Sequence, residues 1–431
     1  MSAVAAGRLA GDDEAGTEDL GAFRQRARAW IGANLGPDRI DERRRDGSPT
    51  DDDAELAVVR REREIQRMLF DAGLAGICFP RAYGGQGLTP AHQLVLNEEL
   101  AGYEYPRLLQ VPTLSPCAAV LLEFGTEEQK RRHLPAILRG EELWMQFLSE
   151  PSGGSDVAGA LTTAVRDGDQ WILNGSKVWT TGAWWSDWAL CLARTNWDVP
   201  KHRGLTVFML PIHQDGVEVH RIEMLNGSRE FCQEFMTDVV VPDSDRVGEV
   251  DDGWTVGTRW MVHERMLYSS PFVTDPPGTR HGGSDVATVF AVAAEGGRGD
   301  DPVALDMMGE ARMLELVGNA LADRISQSIR SGRLTDQASA VSRLFKGTAS
   351  ARVSSLAFEM AGPAGAAVAE GAAAAGSGVG FLIRQAGSIG GGTVEMARNV
   401  ISERVLGMPR ERSVDRDVAF RDVPRARPPS P

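Results

Sequence analysis

The chain has 431 residues, 42% hydrophobic and 25% charged, which is too long for one ordinary core and has the balance of a soluble globular protein of two to four domains. Its net charge of −14, with no long Lys/Arg stripe, argues against nucleic acid as a partner. It does not exclude an anionic cofactor, because backbone N–H groups and helix N-termini hold phosphates whatever the overall charge.

From Met1 the chain is polar and acid-rich, without the apolar core of a secretory signal, and nowhere does an apolar run approach the ~18–20 residues of a membrane span. The reading is a cytoplasmic protein with no membrane association and a disordered tail over residues 1–18. An N-terminal helical domain is expected over 19–143. Phe23, Ala27, Trp30 and Leu35 recur at near-helical spacing in Leu20–Leu35, and Asp41–Asp53 has no periodicity. A second helix runs from about Ala54 to Ala72. After the Gly/Pro-rich stretch Cys78–Gln93, a helix opens with Thr89 as N-cap and Pro90 as first residue. Ser115–Phe124 and Thr126–Leu138 read as two more helices separated by Gly125.

The period then changes. Over 144–246, short runs rich in Val, Thr, Trp and Leu are broken by DGD, NG and PI turns, the signal of an antiparallel β-domain. Helical patterns return over 247–408, and 409–431 is a charged, Pro-rich tail. The four cysteines form no CxxC pair and the seven histidines no HxxxH spacing, so no metal site is expected and the cysteines read as small core residues.

The β-domain begins with QFLSEPSGGSDVAGALTTAVRDGDQWILNGSKVWTTGA (Gln146–Ala183). This resembles the flavin-binding signature of acyl-CoA dehydrogenases, a Ser/Thr-Glu-Pro-x-x-Gly-Ser-Asp block followed downstream by Trp, then Ile or Thr, then Thr or Ser. FGTEEQKRRHLPAIL before it, and VVVPDSDRVGEVDDGW and GGTVEMARNVISERVLGMPRE after it, extend the resemblance from about residue 19 to 412. It implies an α+β fold of N-terminal helical domain, middle β-domain and C-terminal helical bundle, with FAD at their junction. By resemblance, Ser155 reaches the FAD pyrophosphate and Ser149 the pyrimidine edge of the flavin. Trp179 lies against the isoalloxazine ring, with the Thr181 hydroxyl near N5. Gln146, Leu148, Gly154, Thr180, Thr393 and Glu395 complete the implied cofactor set, and Thr393 also suits the N-cap of the last helix. Trp184, Trp185 and Trp188 read as core packing rather than pocket.

Dehydrogenation at the α,β carbons needs a base within reach of the α proton. In the commonest family pattern that base is the Glu of a Tyr-Glu-Gly-Thr block. Here the block is Gly390-Gly391-Gly392-Thr393, and Gly391 offers only its backbone N–H, which the family uses on the thioester carbonyl. A minority of the family places the Glu on an earlier helix before an Arg, and Glu264-Arg265 in RWMVHERMLY matches it. Trp260, Met261, Leu267 and Tyr268 would share its face, and an apolar face raises a carboxyl toward a useful base. The alternative for Glu264 is a structural ion pair. Arg265 and Tyr268 are the candidate substrate contacts.

The Arg-x-x-Phe-Gly block that crosses subunits in many homotetrameric members has no counterpart in Ser270–Met313, and the tract Glu359–Gly378 reads as a flexible Ala/Gly connector. The resemblance implies an acyl-CoA substrate, transfer of electrons to an electron-transfer flavoprotein, and a homo- or hetero-oligomer, the missing block favouring two different subunits. Two other readings stay open: a flavin monooxygenase of the same superfold, which needs no α-proton base, and a non-catalytic partner subunit.

Overall fold

A computed structural model describes residues 17–38, 52–266, 270–277, 286–367, 373–413 and 415–424. The first helix, α1 (Leu20–Asn34), is capped by the Asp19 carboxylate, which accepts from the N–H groups of Gly21 and Ala22. Phe23, Ala27 and Ile31, four residues apart, point inward and are completely buried. They pack on Ile65 and Leu69 of α2 (Asp52–Asp71) and on Leu96 of α3 (Pro90–Glu99). Burial of Phe23 and of Ile31 contributes about 1.5–3 kcal/mol each, so this helix face is tied firmly to the domain. Thr89 caps α3 in a reciprocal box with His92, as its position before Pro90 predicts.

The helix expected from Ser115 begins later. α4 is Ala119–Phe124, and Gln110–Ala118 is an irregular turn whose Val111 and Ser115 have extended backbone. Pro116 explains the difference, because the residue before proline is driven out of the helical region. α5 (Glu127–Arg139) starts at the Thr126–Gln129 capping box and ends at Gly140 in the left-handed conformation.

The middle region is one sheet of β1 (Trp144–Phe147), β2 (Thr163–Asp167), β3 (Gln170–Thr181), β4 (Trp188–Arg194), β5 (Leu205–Pro211), β6 (Val217–Arg221), β7 (Phe231–Pro242) and β8 (Arg246–Val247). The order is β6-β7-β3-β2-β4-β5-β8, with β1 beside β4. Most pairs are antiparallel, as the turn signals predict; β1–β4 is parallel. Leu190, Leu192, Val207 and Met209 face Leu121, Leu134 and Trp260. On the opposite side Met145, Phe147, Cys191 and Phe208 pack with Trp185 and with Val59 of α2. The sheet is thus a two-sided core whose first face receives the helix α6 (Gly253–Met266).

The C-terminal helices are α7 (Val286–Glu295), α8 (Pro302–Arg330), α9 (Ser339–Ala361), α10 (Ala373–Ile383), α11 (Ala386–Ile389) and α12 (Val394–Val400). Their core joins Val289, Ala304, Ala311, Val353 and Leu356. The described ends of the Ala/Gly tract are helical: α9 runs through Ala361, a 3₁₀ turn follows at Gly362–Ala366, and α10 starts at Ala373, while residues 368–372 lie outside the described residues. Alanine is the strongest helix former, and Phe358 stacks on Phe381 to close the two helices together. The tail also docks. Phe420 is buried with the Arg194 guanidinium 3.7 Å from its ring centroid, and its N–H donates to Val199 O. Asp415 pairs with Lys201 at 2.8 Å. Residues 1–16, 39–51 and 425–431, the ends of the expected tails and most of the expected charged loop, lie outside the described residues.

Candidate active site

The signature loop leaves β1 at Leu148 and Ser149. Ser149 is half-buried, and its carbonyl accepts from Val178 N at 3.0 Å. Leu148 packs on the first sheet core, and its carbonyl accepts from Lys177 Nζ. Gly154 and Ser155 are exposed, and a Cβ at Gly154 would meet nothing nearer than Ser149 Oγ at 3.6 Å. A ligand can therefore approach this backbone closely. Beneath the loop, Glu150 accepts from Lys177 Nζ at 2.9 Å and from the N–H groups of Leu161 and Thr162, so a buried ion pair fixes where the loop starts.

Across the loop, β3 is interrupted by a bulge between Val178 and Thr180. Trp179 occupies it at φ 68° and is 54% exposed. A bulky residue with positive φ is a strained exception, and such strain persists where the fold aims a side chain for use. Thr181 is exposed too, whereas Thr180 turns inward and is buried. The Thr180 hydroxyl lies 3.0 Å from Glu234 Oε2 and 3.2 Å from the Gln146 carbonyl. Among the implied cofactor residues, Trp179 and Thr181 thus offer side chains outward, and Thr180 has only its backbone to give. An uncovered aromatic surface beside a hydroxyl, next to a loop of small residues, suits the flat ring and pyrophosphate of FAD.

Helix α6 is set against the sheet by completely buried Trp260, whose indole Nε1 donates to Gln146 Oε1. That engages the Gln146 side chain inward. The Ser115 hydroxyl also donates to the carbonyl of His263 at 3.3 Å. One turn of α6 meets Glu123 of α4, whose carboxylate accepts from Arg259 at 2.7 and 2.8 Å and lies 2.8 Å from His263 Nε2. Burial alone would raise Glu123, but those two partners outweigh it and hold the carboxyl at about 2.

Glu264 stands beside this cluster without joining it. It makes no hydrogen bond and no ion pair with any described residue, so the structural ion pair has no described partner. Burial among protein atoms raises its carboxyl above the ordinary range, opposed only weakly by Arg265. It also helps burial hold the thiol of nearby Cys117 protonated. Some of its surface is still open, as a base requires. Arg265 is exposed; Tyr268 and Leu267 lie outside the described residues.

Gly391 adopts φ 69° on an exposed loop, with nothing within 4 Å of a Cβ placed there. Arg343 of α9 clamps this loop, donating to the carbonyls of Gly387, Gly390 and Gly392 at 2.9, 2.6 and 3.1 Å. Thr393 caps α12 through Met396 N, and Glu395 sits exposed in its first turn near Arg398. The loop's polar partners are therefore on α9, whereas α6 is held by the sheet and by Ser115. No motif marks Arg343 or Glu234 in the sequence, since their meaning lies in distant carbonyls and in burial. The neighbouring tryptophans are structural: Trp184 and Trp185 donate to Glu55, and Trp188 stacks on Trp144.

Residues 17–141 match the acyl-CoA dehydrogenase N-terminal domain and residues 146–239 its middle domain. Acyl-CoA dehydrogenase IpdE1 of Mycobacterium tuberculosis is 31% identical over 91% of this chain and 99% of its own length. The chain belongs to the acyl-CoA dehydrogenase family. Acyl-CoA dehydrogenase FadE34 of the same organism is 34% identical over 83% of this chain, which spans 48% of that relative's length. Among solved structures, the Tcur3481-Tcur3483 steroid ACAD matches with TM-score 0.67 and 28% identity, covering 91% of this chain and 98% of that one. The acyl-CoA dehydrogenase fold, helical domain then β-domain then helical region, is therefore this chain's fold, and its family is one of FAD-dependent oxidoreductases. No helix among the described residues is long and apolar enough to cross a membrane, and no group of three potential metal ligands is found among them.

Proposed function

We propose that the protein oxidises an acyl-CoA thioester to the trans-2-enoyl-CoA, with Glu264 as the base for the α proton. The observation that carries this reading is the Glu264 carboxyl, which pairs with no described residue and is raised by burial on a helix anchored to the signature strand through Trp260 and Gln146. A base needs an available lone pair and a pKa above that of an exposed carboxylate, and Glu264, raised by burial and paired with no described residue, fits both. Bound FAD would supply the acceptor for the β hydride. Gly154 and Ser155 would hold its pyrophosphate, Ser149 the pyrimidine edge, and Trp179 and Thr181 the face and N5 edge of the ring. The Gly391 N–H, on the loop clamped by Arg343, would donate to the thioester carbonyl and stabilise the developing enolate. Arg265 would contact the substrate, and an electron-transfer flavoprotein would receive the electrons.

Among acyl groups, ring-bearing thioesters come first. The Tcur3481-Tcur3483 protein is named a steroid ACAD, and cyclohexane-1-carbonyl-CoA dehydrogenase of Syntrophus aciditrophicus is 31% identical over 199 residues. The test is an anaerobic titration of the purified yellow protein with a panel of straight-chain, branched, alicyclic and steroid side-chain acyl-CoAs, watching the flavin absorbance. Bleaching by at least one thioester is expected. No bleaching by any of them, with oxygen uptake when a flavin reductase and NAD(P)H are supplied, would replace this reading by a monooxygenase.

A further inference from the structure

Glu234 is a buried acid that none of these roles uses. It stands on β7 directly across from Lys177 of β3 and is completely buried. Its Oε1 has no hydrogen-bond partner among the described residues. Lys177 cannot neutralise it by contact: its three N–H donors go to Glu150 Oε1 at 2.9 Å, Leu192 O at 2.7 Å and Leu148 O at 3.3 Å. Arg221 on β6 is committed to Asp52 and Glu55. Among the described residues, the other titratable groups that feel Glu234 are Cys191 on β4 and Cys232 on its own strand, both thiols pushed up by burial and so uncharged. An ionised Glu234 would be an uncompensated buried charge, which proteins avoid by keeping the group neutral.

The hydroxyl of Thr180 carries the same message. It lies 3.2 Å from the Gln146 carbonyl and 3.0 Å from Glu234 Oε2, yet has one hydrogen to give. A carbonyl only accepts. Both contacts are satisfied together when Oε2 carries a proton and donates to Thr180, which then donates to Gln146.

We propose that Glu234 is a protonated carboxylic acid at neutral pH and a positioning residue, tying the strand that presents Trp179 and Thr181 to the strand whose Gln146 side chain holds α6. The positional part rests on the reading that Trp179 and Thr181 face the cofactor. Burial, the dominant effect, places this carboxyl at about 8, against weaker opposing help from Thr180 and Lys177. The sign follows. With the folded value above the ordinary 4.5, the unfolded chain loses this proton first, so stability falls as pH rises from 4.5 to about 8. Beyond that, the Thr180 hydroxyl turns to the new carboxylate, Gln146 loses its donor, and the Trp179 bulge loosens.

The test is infrared difference spectroscopy of the full-length protein, with and without FAD, as pH is raised from about 6 to about 10. Wild type should lose the C=O band of a protonated carboxylic acid with a midpoint of about 8, and its flavin absorption should shift over the same range. Glu234→Gln keeps a donor for Thr180; it should lack the band and show no flavin shift there. Thr180→Val should keep the band at higher frequency, because the acid has lost its acceptor. A band of that midpoint that survives in Glu234→Gln made on a Glu264→Gln background, or no such band in wild type, overturns the proposal. So does an unshifted band in Thr180→Val, which serves if Glu234→Gln does not fold. None of these readouts needs acyl-CoA turnover, so they fail or succeed independently of the dehydrogenase assignment.

Discussion

The indole N–H of Trp260 on α6 donates to the side-chain carbonyl of Gln146 on β1, a polar link between the helix that carries Glu264 and the strand that leads into the signature loop. Both partners lie where water does not compete freely, so removing one leaves the other unsatisfied. Trp260→Phe keeps most of the apolar volume and deletes the donor. It should cost about 1–3 kcal/mol, read as a lower melting temperature, and slow flavin reduction while FAD content is kept. Wild-type melting together with a wild-type reduction rate would show that the link positions nothing.

Glu264→Gln separates base from scaffold. It retains size but not basicity, so flavin reduction by a good acyl-CoA should fall by about 10²–10⁴-fold in stopped-flow measurements. Melting temperature and FAD content should hardly change, since no described residue pairs with this carboxyl and an amide is no harder to bury than a carboxylate. A base works when deprotonated and burial raises Glu264, so the wild-type rate should climb with pH through a value above the ordinary 4.5. That limb should vanish in the variant. Undiminished reduction would point to another base, and collapse of the fold to a structural role.

Much of this arrangement is legible in the sequence, because the responsible features are local. Thr89-Pro90 specifies a helix start, the Thr126–Gln129 box another, and turn-bounded Val/Thr runs the strands. Ordered blocks likewise point to Trp179, Thr181 and Glu264. What escapes is decided by distant partners. The tail reads as charged and Pro-rich, yet one aromatic, Phe420, finds the Arg194 guanidinium and docks it. The Ala/Gly tract reads as a connector, yet its described ends belong to two helices that the Phe358–Phe381 stack holds together. Glu234 looks like any strand acid, since no periodicity announces that Lys177, across the ladder, is already fully engaged.

The Glu123 cluster should give the fold a specific acid sensitivity. Arg259 and His263 hold the carboxyl at about 2, below its ordinary 4.5. Its contribution is therefore fully present above pH 4.5 and disappears as pH falls through about 2. Glu123→Gln should lower the melting temperature at neutral pH, and the gap from wild type should close progressively in acid. A gap independent of pH would mean that the packing of Glu123, not its charge, supports α6.

Docking of the tail can be tested apart from catalysis. Phe420 is buried, and its ring covers the Arg194 guanidinium, which also donates to Ala158 and Ala160 just after the signature loop. Phe420→Ala should cost the local contact about 3–5 kcal/mol, enough to release the segment. The expected result is rapid proteolytic trimming after Arg412 or Arg416, with the helical and β-domain cores intact on the same gel. Trimming at the wild-type rate would show that the tail is held by the Lys201–Asp415 pair instead.

The last prediction concerns assembly. Along α8, Val303, Leu305, Met313 and Leu316 are 57%, 51%, 48% and 54% exposed, and Val379 and Leu382 of α10 and Ile389 beside the Gly391 loop are open as well. So much apolar surface on one helical region is unusual for a chain that works alone, and its coverage by another subunit would remove it from water. The absence of an Arg-x-x-Phe-Gly block in Ser270–Met313 bears on which subunit that is: if the cofactor site is shared between subunits, as the resemblance implies, a second identical chain would bring no such block to it. A different chain of the same family can. Expressed alone, the protein should therefore bind FAD substoichiometrically. Co-expression with a genomic neighbour of this family should raise FAD occupancy and shift both chains to one larger species in size-exclusion chromatography with light scattering. Leu316→Glu on the open face should reverse both effects without unfolding the monomer, since that side chain is exposed in the single chain. A stable homotetramer with one FAD per chain would end the case for two different subunits.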